Sequence, residues 1–188
     1  ASSTCKPAPL ACMTKTRTLV PLALAVLAAL WFWPFAPRHA PPPQLPSDLS
    51  RLDRLEIDKS DRLLSGYVGA RKVLEMPIAL GFAPEGDKRQ EGDGRTPEGR
   101  FHVDRRNGQS AYHLSLGLDY PRPEDRVRAA AEGVDPGGDI FIHGQPNALP
   151  SALMLTHDWT AGCIAVSNAE IALLWDLVPL GTPVDIRP

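Results

Sequence analysis

Two residues in the C-terminal third of the chain could do covalent chemistry together. His143 stands in Asp139-Ile140-Phe141-Ile142-His143-Gly144, and Cys163 follows twenty positions later in Gly162-Cys163-Ile164-Ala165-Val166. Asp139, Phe141 and His143 alternate with Ile140 and Ile142, the period of a strand whose two faces differ, and Gly144 lets the backbone turn away. His143 is therefore predicted at a strand end, where a side chain can face a cleft. Cys163 lies just ahead of Ser167-Asn168-Ala169-Glu170, a capping-box pattern that starts a helix. An unperturbed thiol, with a pKa of ~8.5, is only a few per cent thiolate at neutral pH. A histidine within reach supplies the missing base. The competing reading is a buried cysteine acting as a small hydrophobe; Gly162 and the polar Thr160 and Ser167 beside it argue against simple burial.

The combination Ile142-His143-Gly144 with Thr160-Ala161-Gly162-Cys163-Ile164 resembles the active-site signature of the L,D-transpeptidase (YkuD) catalytic domain. Upstream, Gly92-Asp93-Gly94-Arg95-Thr96-Pro97-Glu98-Gly99-Arg100-Phe101 is similar to a second segment of that family, in the expected order. The resemblance covers about Leu52 to Pro188. It departs at two positions: Ala161 stands where the family usually has histidine, and Ala165 where it usually has arginine, a branch with an altered signature.

The resemblance implies a mainly β fold, a twisted β-sandwich or flattened barrel with a few short helices. It also implies acyl transfer on peptidoglycan stem peptides, with Cys163 forming a thioester and His143 as base. Gly162 and Gly144 then serve the turn and oxyanion stabilisation, together with the Cys163 amide. Thr160, Trp159 and His113 are candidate substrate contacts. His157 reads as an exposed loop histidine or a substrate contact, and His113 as either lining the cleft or packing there. The acceptor implied is another stem peptide, a wall-linked lipoprotein lysine, or water. A hydrolase of the same bonds and a silent wall-binding module are the alternatives. No cofactor or metal is implied; a Cys163/His143/His157 zinc site lacks any short-spaced ligand pair. A papain-like protease would carry its cysteine before its histidine, and the order here is reversed.

The elements that must position this pair occupy the chain after a distinct N-terminal region. With 188 residues, 43% of them hydrophobic, the chain has material for one cored domain and an appendage. Its net charge of −2 gives no basic surface for nucleic acid. Of the three cysteines, Cys5 and Cys12 precede the apolar segment, so a disulfide framework within the domain is excluded. Residues 1–18 read as an extension and cytoplasmic segment, with Met13 as a translation start. Residues 19–36 carry no charge; as a helix they span roughly 27 Å, close to a ~30 Å hydrocarbon core. Basic residues precede them, so an inner-membrane anchor, or else a cleaved signal segment, is expected to place the rest in the periplasm. Residues 37–51 form a proline-rich tether, and 52–188 the catalytic domain.

Within that domain Leu55-Glu56-Ile57-Asp58 and Arg62 to Tyr67 flank a polar Lys59-Ser60-Asp61 turn and predict a hairpin. A strand fits Arg71 to Gly81, with Val73, Met76 and Ile78 in the core. Phe82 to Gly99 reads as a loop, solvated by composition and fixed beside the sheet by resemblance. Strands fit Arg100 to Val103 and Ala111 to Leu118, a short helix Glu124 to Glu132, and a helical turn Asn147 to Thr156. The capped helix presents Ile171, Leu174, Trp175 and Val178 at helical spacing, and Val184 and Ile186 mark a last strand.

Overall fold

Alternation sets the first strands. In β1 (Arg54–Asp58) Leu55 and Ile57 are fully buried while their neighbours are half-exposed, and β2 (Leu63–Val68) pairs with it antiparallel through Ile57 opposite Leu64. The computed structural model describes residues 49–150 and 153–188. The expected anchor, signal segment and most of the tether therefore lie outside the described residues; no helix among those described is long and apolar enough to cross a membrane.

The further strands are β3 (Arg71–Pro77), β4 (Gly99–Asn107), β5 (Ser115–Leu118), β6 (Phe141–His143), β7 (Ile164–Ala165) and β8 (Pro183–Arg187). They form one sheet in the order β3-β2-β1-β8-β4-β5-β6-β7. β8 runs parallel to β1 and antiparallel to β4, so the last strand of the chain joins the N-terminal hairpin to the site-bearing half. The sheet curls until its ends meet: Ala79, just past β3, exchanges two 2.8 Å backbone hydrogen bonds with Ala165 of β7. This is the mainly β, flattened-barrel class that the sequence predicts.

Two helices complete the fold. The first, α1 (Pro123–Glu132), places Asp125 beneath its own N-terminus and ends at Gly133. The second, α2 (Asn168–Leu177), begins with the capping box read from sequence: Ser167 Oγ accepts from the Glu170 N–H, and the Glu170 carboxylate accepts from the Ser167 N–H. Ile171, Leu174 and Val178 are buried as their spacing predicts. Trp175 is the exception, lying half-buried under the Arg106 guanidinium at 4.1 Å. Residues 147–149 make a turn without continuing into a helix.

The 82–99 loop has no regular secondary structure beyond its last residue, yet it is pinned from within. Lys59 stands in the expected turn between β1 and β2, yet its side chain is 3% exposed and donates to the Gly86 and Thr96 carbonyls and to Glu98. Lys88, equally buried, binds Asp93. Burial of two ammonium groups is tolerated because each has a carboxylate and carbonyl oxygens around it. The loop is a fixed wall beside the sheet, and the solvated reading is corrected on that ground.

Candidate functional site

Parallel pairing of β6 with β7 brings the two chemistry-bearing residues to one face. Ile142 faces Ile164 and His143 faces Ala165. Ile142 and Ile164 are both fully buried on the core side, so alternation sends Phe141, His143, Cys163 and Ala165 to the other. His143 and Cys163 line one cavity of about 290 Å³, together with Asn107, Ser110, Ala111, Tyr112, Ser115, Asp139 and Phe141. A larger, open groove of about 490 Å³ over β1, β8 and β4 is lined by Glu56, Arg100, Asp185 and Arg187. Those charges pair with one another, and the groove holds neither thiol nor imidazole.

His143 is 3% exposed, and its Nδ1 lies 2.7 Å from the Gly144 carbonyl oxygen. A carbonyl can only accept, so Nδ1 carries the proton and the neutral ring keeps Nε2 as its acceptor. Burial pulls the His143 pKa below its usual value of 6.5, with the Gly144 carbonyl opposing. The ring packs 4.5 Å from Tyr112 and 5.6 Å from Trp159, centroid to centroid, which fixes its plane.

The partly exposed Cys163 thiol donates to the Asp139 carbonyl at 3.4 Å. Burial pushes its pKa up, while the Phe141 backbone N–H, turned toward the sulfur, opposes this. Thiol and imidazole therefore share a cavity as two neutral groups, each hydrogen-bonded to backbone rather than to the other. Such a pair suits proton transfer concerted with attack better than a resident thiolate.

The turn before Cys163 is built by Thr160 and Gly162. Thr160, 4% exposed, donates from Oγ1 to the Cys163 carbonyl at 2.7 Å and accepts from the Gly162 N–H at 3.1 Å. Its hydroxyl is spent inside the turn, so Thr160 shapes the site without lining the cavity. Gly162 has φ +133°, and a Cβ there would sit 2.6 Å from the Arg95 carbonyl oxygen, so the 92–101 segment packs directly on this turn. The Gly144 N–H is likewise engaged, with the Tyr112 and Leu114 carbonyls at 3.0 and 3.3 Å. Among the expected substrate contacts, Trp159 packs edge-on against His143, with the rings 67° apart, and lies outside the cavity lining. His113 is exposed, with φ +67° and its backbone N–H donating to Asn147 Oδ1 at 2.8 Å, and it does not line the cavity. His157 is exposed, and Ala161 too, whereas Ala165 is buried beside His143.

The sequence reading missed Asp139, Phe141, Tyr112 and the buried Ser110–Ser115 hydroxyl pair as cavity lining. Alternation along 139–143 already puts the first two on the His143 face. Tyr112 gave no signal, because only the Ala111–Leu114 turn ahead of β5 brings it under the imidazole.

Fold and site together define a curled β-sheet domain with a cysteine and a histidine facing one cavity across two parallel strands. Residues 52–186 match the L,D-transpeptidase catalytic domain, and the chain belongs to that family. No curated protein matches it. Among solved structures it is similar to the helical cell shape determining protein Pgp2 of Campylobacter jejuni, with 26% identity over 76% of this chain and 52% of that one, and a TM-score of 0.56. It is similar also to Bdellovibrio bacteriovorus Bd1075, with 29% identity over 77% of this chain and 51% of the other, at a TM-score of 0.52. The chain thus spans about half the length of these structures.

Proposed function

We propose that this protein is an L,D-transpeptidase that remodels peptidoglycan by acyl transfer through Cys163. The observation that carries the reading is the pairing of a thiol with an imidazole whose Nδ1 is committed to Gly144. That commitment leaves Nε2 free to take a proton. As the sulfur attacks a stem-peptide carbonyl, the thiol proton passes to His143 Nε2 and a tetrahedral oxyanion forms. Its collapse breaks the C–N bond, the imidazolium returns the proton to the leaving amine, and a Cys163 thioester remains. An amine of a second stem peptide or of a wall lipoprotein, or else water, then attacks the thioester carbonyl, gives a proton to His143 Nε2, and the C–S bond breaks as that proton passes to the departing sulfur. The Gly162 and Gly144 amides already serve other acceptors, so the Cys163 amide is assigned the oxyanion.

Family membership and the likeness to a cell shape determining protein support a role in wall remodelling. The substrate requires a location outside the cytoplasm, and the apolar 19–36 segment supplies export and a membrane anchor in this reading. Fractionation of cells making the full chain tests the location: recovery of the intact protein with cytosol would refute it.

Mass spectrometry of wall fragments incubated with wild-type and Cys163→Ala protein tests the chemistry. Cross-linked dimers made only by the wild type are expected. Trimmed or released monomers alone would mean that water is the acceptor, a hydrolase that the apolar Ala161 and Ala165 also suit. Identical products from both proteins would overturn the enzyme.

A further inference from the structure

Cys163 is held by the backbone that leads into β6. Its sulfur donates to the Asp139 carbonyl at 3.4 Å, and the Phe141 backbone N–H acts to lower its pKa against burial. Asp139 has φ +53°, a left-handed conformation uncommon outside glycine and met more often in aspartate than in most residues, and its side chain is 88% exposed. Contacts from outside β6 bear on this corner.

Arg105 reaches it from two strands away. The β4–β5 register slips between Val103 and Arg105, a bulge of the kind that re-aims a side chain. Beyond it Arg105 faces Gly117, which in turn faces Phe141, so the three form one row across the sheet. A Cβ on Gly117 would meet Arg105 Cγ at 2.4 Å and Nε at 2.8 Å: the arginine lies in the space that the missing side chain leaves. Its guanidinium then stacks 4.5 Å from the Phe141 ring centre, with Nη2 3.1 Å from Asp139 Oδ1 and Nη1 3.3 Å from the Leu118 carbonyl. As an exposed ion pair alone the Asp139 contact stabilises little. A planar fork that is stacked and bonded at both ends fixes direction, which a lysine ammonium cannot do.

We propose that Arg105 is a positioning residue for Cys163: crossing β5 over Gly117, it locks the Asp139–Phe141 backbone that orients the sulfur. This rests on the reading of Cys163 as the nucleophile. The charged groups acting on the sulfur are Asp139, which raises its pKa, and Lys88 and Arg105, which lower it; neutral His143 faces it across the cavity. Loss of the fork is expected to loosen the Phe141 N–H and free the Asp139 carboxylate, and both changes disfavour thiolate.

The test is the pH dependence of alkylation by iodoacetamide in the full chain, read at the Cys163 peptide with added glutathione as the reference thiol. Arg105→Ala and Arg105→Lys are both expected to move the Cys163 midpoint upward and to slow its neutral-pH alkylation about threefold or more, half a pKa unit in equivalent terms. Alkylation of the reference thiol should not change. A wild-type midpoint in both variants overturns the proposal. So does full rescue by lysine, since charge without the fork would then suffice. Should the alanine variant fail to fold, the lysine variant, which keeps stem and charge, decides alone. Wild-type transfer activity is measured separately: its absence would sink the proposed enzyme while leaving the alkylation result interpretable.

Discussion

His143 Nδ1 lies 2.7 Å from the carbonyl oxygen of Gly144, the residue that follows it in the chain. A histidine that spends its N–H on its own neighbour needs no carboxylate to choose its tautomer. The bond turns Nε2 into a fixed acceptor, which is what a general base requires. In the proposed mechanism His143→Gln removes the base while keeping a polar side chain of similar reach. Acylation of Cys163 by a carbapenem, followed by intact mass, is expected to slow by roughly 10²- to 10⁴-fold. A rate within a factor of three of wild type would remove His143 from the mechanism.

The same burial predicts how stability follows pH. The folded chain holds the His143 pKa below 6.5, chiefly through desolvation. Above 6.5 neither folded nor unfolded chain protonates this ring, and the site's contribution is fully present. As pH falls below 6.5 the unfolded chain takes up a proton that the folded one refuses, so the contribution drains away as pH falls through the folded value. Melting temperatures from pH 8 to pH 5 should therefore fall more steeply for wild type than for His143→Gln. Parallel curves would mean that the imidazole is not buried neutral.

Much of this arrangement was legible in the sequence wherever one short-range rule acts alone. Leu55 and Ile57 alternate because β1 has one core face, and Ser167 with Glu170 caps α2 because the first-turn amides need acceptors. The HG and GC dipeptides placed His143 and Cys163 at element ends. What sequence could not reveal depends on distant pairing. The parallel β1–β8 pairing carries no local signal, and β7 is only two residues long, held between β6 and Ala79. Lys59 looks like any turn lysine until the 82–99 loop folds over it. Thr160 looked like a substrate contact because its hydroxyl is polar and near Cys163, yet two backbone groups consume it.

Lys59 and Glu98, 2.7 Å apart, should differ in energetic weight from the surface pairs. Lys59 is 3% exposed and satisfies two loop carbonyls besides the carboxylate. Lys59→Met strands all three acceptors, and roughly 3 kcal/mol of stability should be lost in urea unfolding. Arg100→Ala removes an Asp185 pair whose arginine is 67% exposed, and should leave the urea midpoint nearly unchanged. Equal losses from the two substitutions would show that the 82–99 loop is not pinned from beneath.

Trp159 carries the opposite kind of burial. Its indole Nε1 is shielded from solvent without a hydrogen-bond partner, while its ring packs against His143 and Tyr112 at 5.6 and 5.8 Å. An orphaned donor costs about 1–3 kcal/mol, and phenylalanine deletes it while retaining an aromatic face. That gain is set against the volume lost in replacing indole by phenyl, about 1 kcal/mol for a small void. Trp159→Phe is therefore expected to be at least as stable as wild type in urea unfolding. A loss of 2 kcal/mol or more would mean that the N–H is satisfied after all, and that the orientation of His143 depends on it.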